Sequence, residues 1–164
     1  MLWLHGPSFV LVCTLKTTKA LFLNLTSSPN FKEYDTRQVG KTWLLQEFGR
    51  TSYTKFVYVN FEETPALRNI FSVDFDIERI ITMLQVQAQT TITEEDTLIV
   101  FDEIQSAERG VTSLKYFCEK APQYHVIAAD SLLGMGLHSQ VSFPVGKVDF
   151  LDLRPLSFYE FRLK

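Results

Sequence analysis

An α/β domain built on a mostly parallel sheet is the fold class that this sequence predicts, on three observations. Short apolar runs alternate along the chain with stretches whose apolar residues recur every three or four positions, the pattern of strands separated by helices. The runs FVYVNF (Phe56 to Phe61), TLIVF (Thr97 to Phe101), YHVIAA (Tyr124 to Ala129) and VDFLDL (Val148 to Leu153) are mostly apolar on both faces, as strands are when helices cover them on both sides. At 164 residues and 46% hydrophobic, the chain suits one domain and buries roughly two-thirds of its unfolded surface.

The elements follow in order. Phe9 to Leu15 and Ala20 to Leu25 read as two strands around the polar turn KTTK, and TSSPNFKEY (26–34) reads as a loop. Leu44, Leu45 and Phe48 share a helical face, with Gly49 as the residue that closes the helix. Asp76 caps a second helix, whose core face is Ile77, Ile80, Ile81 and Leu84. A third helix buries Leu114, Phe117, Cys118 and Ala121 until Pro122 stops it. Near the end, Ser157 and Glu160 have the spacing of a capping box, and Leu156 and Phe161 occupy the staple positions. A helix launched there has only a few residues before Lys164, against the roughly 12–15 an isolated helix needs. The expectation is a chain truncated at this helix, its packing partner being a missing C-terminal domain or a partner subunit.

Charge and cysteine usage exclude several classes. A net charge of −3 without a basic cluster argues against direct nucleic-acid binding by this chain. Cys13 and Cys118 stand far apart and form no C-x-x-C pair, so neither a zinc site nor a disulfide framework is indicated. The three histidines, His5, His125 and His138, lack metal-ligand spacing. The run around Phe9 to Cys13 is too short to span a bilayer, and no basic segment precedes it as in a secretion signal. The reading is a cytoplasmic protein without a membrane segment, in which the sequon Asn24-Leu25-Thr26 is coincidental.

The chemistry concentrates in two places. Gly40, Lys41 and Thr42 form the second half of the phosphate-cradling pattern G-x-x-x-x-G-K-[ST] at the start of the first long helix. In such a loop the backbone N–H groups, here of Thr36, Arg37, Gln38, Val39 and Gly40, point at phosphates. The lysine reaches the β and γ oxygens, and the hydroxyl residue binds Mg²⁺. Asp102 and Glu103 end the apolar strand LIVF, at the edge where open α/β sheets bind ligands. A carboxylate there coordinates Mg²⁺, and an adjacent glutamate polarises the attacking water. Either piece alone has a bland explanation, a solvated helix start or an acidic strand end. Their order, with one helix and one strand between, makes coincidence the weaker account. Glu62 and Glu63 read as a solvated strand end, Trp43 as packing on the loop helix, and Arg109 as a poor choice for a charge-stabilising arginine.

The segments RQVGKTWLLQEFG, YVNFEE, TLIVFDEIQ, SLKYFCEKAP, YHVIAA with SLLG, SFPVGKV and LRPLSFYEF, in this order, resemble the bacterial and archaeal AAA-type ATP-binding family, whose members usually continue into a nuclease-like C-terminal domain. The resemblance covers about Thr36 to Lys164. It implies a P-loop NTPase three-layer αβα sandwich with a mostly parallel sheet, and ATP with Mg²⁺ as ligands. It further implies Lys41 and Thr42 as phosphate and metal ligands, Asp102 as the second metal contact, Glu103 as catalytic base and Ser131 as a polar sensor near the γ-phosphate. For Ser131 a helix-capping role is the competing reading.

Three departures bear on function. Asp35 stands at the opening glycine of the loop. About 5 Å from a phosphate, at an effective dielectric near 20, its charge opposes binding by about 3 kcal/mol. The family's buried strand directly before the loop is replaced by SSPNFKEY, so an incomplete or irregular N-terminal strand is expected. Asp130 replaces a small glycine before Ser131. Residues 1–35 thus read as an irregular segment joined to an AAA-type core over 36–164. The alternative function is a degenerate or truncated relative with weak or no nucleotide binding that acts as an interaction module.

Overall fold

The computed structural model describes residues 8–12, 41–130 and 149–153. Its strands are β1 (Ser8–Val12), β2 (Lys55–Asn60), β3 (Thr97–Asp102), β4 (His125–Asp130) and β5 (Asp149–Leu153). Its helices are α1 (Lys41–Ser52), α2 (Ile77–Ala88) and α3 (Gly110–Lys120), with 3₁₀ turns at Pro65–Leu67 and Ile104–Ser106. The strands form one sheet in the order β2-β3-β4-β1-β5.

The centre of this sheet is parallel. β2 pairs with β3 from Lys55↔Thr97 to Asn60↔Asp102, and β3 pairs with β4 from Leu98↔His125 to Asp102↔Ala129. Each parallel step is made through a helix, α2 between β2 and β3 and α3 between β3 and β4. The predicted α/β class therefore holds. The N-terminal strand is the exception: β1 fills the slot between β4 and β5 but runs antiparallel to both. Of the predicted run Phe9 to Leu15, residues 9–12 are strand; residues 13–15, Ala20 to Leu25 and the C-terminal helix at Ser157 lie outside the described residues.

Strand alternation sends side chains to two faces. Val57 and Val59 of β2, Ile99 and Phe101 of β3, and Val126 and Ala128 of β4 meet Ile77, Ile80, Ile81 and Leu84 of α2 and Leu114 and Phe117 of α3. On the opposite face Leu98, Val100, Ile127 and Ala129 meet Leu45 and Phe48 of α1, with Phe56 and Tyr58 packed at the side. Helices on both faces make this a three-layer sandwich, and they explain why the strands are apolar throughout: β3 is buried at every position.

Local signals act largely as expected. Asp76 caps α2 by accepting from the N–H groups of Glu78 (3.0 Å) and Arg79 (3.4 Å). α3 ends at Lys120, two residues before Pro122, and Cys118 packs partly buried against the core. Gly49 requires a correction. It lies inside α1, which runs on to Ser52, and does not close the helix. A Cβ on Gly49 would overlap the ring of Phe56, so glycine is required there for the close approach of α1 to β2. Gly110 plays a related part: a Cβ there would collide with the carbonyl of Ile104, so α3 can start tight against the 3₁₀ turn. Among the described residues no helix is long and apolar enough to cross a membrane.

Candidate functional site at the carboxyl edge of the sheet

The last residue of β3, Asp102, continues the alternation of Leu98 and Val100 and faces α1. The first residues of α1, Lys41 and Thr42, lie over it. The Lys41 ammonium is 2.9 Å from Asp102 Oδ1 and donates to Glu103 Oε1 at 2.7 Å. Thr42 Oγ1 donates to Asp102 Oδ2 at 3.1 Å. Two segments some sixty residues apart are thereby joined in one charged cluster at the C-terminal ends of parallel strands.

The chain turns sharply to bring Glu103 in. Glu103 has φ 50° and ψ 48°, a left-handed conformation that costs an L residue roughly 1–2 kcal/mol. Three hydrogen bonds hold the corner: Glu103 N–H donates to Asp102 Oδ1 (3.1 Å), Phe61 N–H donates to the Asp102 carbonyl (3.0 Å), and Ser106 N–H donates to the Glu103 carbonyl (2.9 Å). The turned backbone sends the carboxylate to Lys41, while Gln105 Nε2 holds its other oxygen at 2.7 Å. Backbone strain concentrated at a polar corner of this kind is a frequent mark of a functional residue.

Burial and charge are tightly balanced. Asp102 is 1% exposed, a setting in which an unpaired charge would be very costly. Four donors meet its two oxygens. Lys41 and the Glu103 N–H serve Oδ1, while Thr42 and the Tyr58 hydroxyl, at 2.6 Å, serve Oδ2. Burial works against the Lys41 ammonium, but its hydrogen bonds to Glu103 and Asp102 prevail and hold it above the ordinary lysine range. Burial, reinforced by the hydrogen bond to Asp102, pushes the Tyr58 hydroxyl well above the ordinary tyrosine range, so it stays a proton donor.

Of the residues selected from sequence, the structure brings together Lys41, Thr42, Asp102 and Glu103. Thr36, Arg37, Gln38, Val39, Gly40 and Ser131 lie outside the described residues, as do Asp35, His5 and His138. Glu62 and Glu63 are exposed and donate their N–H groups to Asn60 Oδ1, a turn at the end of β2. Arg109 donates to the Ser72 carbonyl (3.0 Å) and lies 4.2 Å from the centre of the Phe75 ring, tying a loop to the face away from the site. His125 pairs with the Tyr53 hydroxyl at 2.9 Å. Sequence reasoning missed Tyr58 and Gln105. The available signals were a hydroxyl in an otherwise apolar strand and an amide two residues beyond Glu103.

The donor set fits magnesium. Thr42 Oγ1 and Asp102 Oδ2 are hard oxygens 3.1 Å apart, close to the roughly 2.9 Å between neighbouring oxygens on an octahedral ion with bonds of about 2.05 Å. One carboxylate and one hydroxyl suit an ion that keeps most of its shell for waters and phosphate oxygens. A family model described as an AAA domain matches residues 36–162. The comparisons with curated proteins and with solved structures returned no match.

Proposed function

The chain belongs to the AAA-domain family, and from that premise we propose that it binds ATP with magnesium and hydrolyses the bond to the γ-phosphate. The observation that supports this most directly is the convergence of Lys41, Thr42, Asp102 and Glu103 at the end of a parallel strand. In this reading Thr42 and Asp102 would hold magnesium, which would supply positive charge to offset that of the phosphates. Thr36, Arg37, Gln38, Val39 and Gly40 would supply backbone donors to the phosphates, and Ser131 would act as the polar sensor of the γ-phosphate.

The ion pairs of Lys41 suggest an order of events for this reading. Lys41 bridges both carboxylates, so Glu103 is engaged until Lys41 turns to the phosphates. Glu103, then held by Gln105, accepts a proton from water as the water oxygen bonds to the γ-phosphorus. The bond from that phosphorus to the bridging oxygen breaks, and its electron pair leaves with ADP. A cytoplasmic setting would supply both nucleotide and magnesium.

Titration of a fluorescent ATP analogue with magnesium tests the reading. Wild type binds, and Lys41→Ala weakens binding about a hundredfold, near the upper end for loss of a charged hydrogen-bonding partner. A wild type that does not bind sinks it. One observation favours the second reading, a relative with weak or no nucleotide binding. A phosphate loop normally follows directly on a strand aimed at the site, whereas β1 is antiparallel, its Val12 pairs with Ile127, and residues 13–40 separate it from α1. Asp35→Gly separates the electrostatic part of that weakness, since it raises affinity if the Asp35 carboxylate opposes the phosphates.

A further inference from the structure

We propose that Tyr58 is a positioning residue for the metal-binding carboxylate, the side-chain donor that keeps Asp102 aligned once nucleotide has drawn Lys41 away. The inference rests on the nucleotide reading above and adds a residue to it. β2 carries Phe56 and Tyr58 on the α1 face. The sheet register places Tyr58 beside Val100, two residues short of Asp102. A tyrosine is long enough to cross that diagonal to the neighbouring strand, and its hydroxyl reaches Asp102 Oδ2 at 2.6 Å, the shortest hydrogen bond to that carboxylate.

The argument turns on which donors remain during the reaction. In this structure Asp102 has four. Lys41 is mobile in function, because the phosphates claim it. The Thr42 hydroxyl, as a metal ligand, would no longer serve Asp102. Among the described residues, this leaves the Glu103 N–H on Oδ1 and the Tyr58 hydroxyl on Oδ2. The Glu103 N–H is fixed by the backbone, so Tyr58 determines how Oδ2 is presented. Hydrogen bonds of this kind to a ligating carboxylate set its orientation, and their loss typically lowers metal affinity by 10–100-fold. Tyr58 is suited to the part because its ring is wedged beside Phe56, 6.2 Å between centroids, which fixes the direction of its hydroxyl.

The test measures magnesium coupling. A fluorescent ATP analogue is titrated at a series of free Mg²⁺ concentrations and in chelator, for wild type, Tyr58→Phe and a variant with 4-aminophenylalanine at position 58. The expected result is that Tyr58→Phe needs about tenfold more Mg²⁺ to reach half of the tightening. The 4-amino group, a donor at the same ring position, brings the midpoint back toward wild type. A midpoint in Tyr58→Phe equal to that of wild type overturns the proposal, as does a 4-aminophenylalanine variant that stays tenfold shifted. If Tyr58→Phe fails to fold, the 4-aminophenylalanine variant alone decides, since it must match wild type within about twofold. A wild type whose analogue binding ignores Mg²⁺ and Lys41→Ala overturns the nucleotide reading itself, and this proposal with it. Mg²⁺ tightening in wild type with no effect of Tyr58→Phe overturns this proposal alone.

Discussion

On one face of the sheet, α2 and α3 close over Phe61, Phe71, Phe101 and Phe117, whose rings lie 5.6–5.8 Å from one another through Phe101. On the other, α1 covers a smaller apolar patch around Leu98, Val100, Ile127 and Ala129, and its first turn is given over to ion pairs. The two faces share the same three strands. Aromatic burial on the first face is strongly favourable, which allows the second to carry a nearly buried lysine, a buried aspartate and a left-handed glutamate. Stability and chemistry are divided between opposite sides of β3, and neighbouring residues such as Phe101 and Asp102 serve different ends.

The largest effect that would break this division comes from Phe101→Ala. It should cost about 3–5 kcal/mol in chemical denaturation, as for other buried phenylalanines. It should leave Mg²⁺-dependent analogue binding within a few-fold at temperatures where the variant is folded. Loss of binding in folded protein would show that the two faces are not separable. Glu103→Gln is the mirror experiment. Hydrolysis should fall about a hundredfold or more, some 2.7 kcal/mol of transition-state stabilisation, while nucleotide binding persists and the unfolding midpoint moves far less than in Phe101→Ala.

Gly49→Ala probes the thin face without touching the charged cluster. Alanine is the better helix former by about 1 kcal/mol, yet its Cβ must enter the Phe56 ring. Overpacking should prevail, with a net loss of roughly 1–3 kcal/mol in denaturation. Pairing it with Phe56→Leu should restore most of the loss, and a Gly49→Ala variant as stable as wild type would contradict the close helix–strand contact. The smallest effect lies at the start of α2. There the Arg79 hydrogen bond, then the Asp76 N–H, hold the Asp74 carboxyl below its ordinary value. A depressed carboxylate contributes stability that is present above the ordinary value of 3.8 and is lost as pH falls below it. Asp74→Asn should therefore lower the midpoint slightly at neutral pH and flatten the acid limb, the two proteins converging as pH falls below 3.8. An unchanged acid limb would show that the exposed pair contributes nothing.

Much of the thick face was legible in the sequence. The spacing of Ile77, Ile80, Ile81 and Leu84 after Asp76 specifies one buried helical stripe and its start, and all four are buried. The site was partly legible for a different reason. Lys41-Thr42 and Asp102-Glu103 are short motifs at the ends of recognisable elements, and the direction of a parallel strand determines which edge its last residue occupies. Gly49 was misread because a glycine late in a helical run has two uses, closing the helix or admitting a neighbour. Only the position of Phe56 across the gap separates them.

The sequence by itself determined the α/β class, the burial stripes of α2 and α3, and the four residues that meet at the carboxyl edge. Periodicity, caps and motif order are properties of neighbours along the chain. The antiparallel entry of β1 into the slot between β4 and β5 was decided only in three dimensions. An apolar run carries no mark of its direction, and pairing with strands more than a hundred residues away settles it. The bonds from Tyr58 to Asp102 and from Gln105 to Glu103 were likewise decided there. They depend on the register between strands and on the turn at Glu103, where a shift of a single residue would have sent the same side chains to the other face.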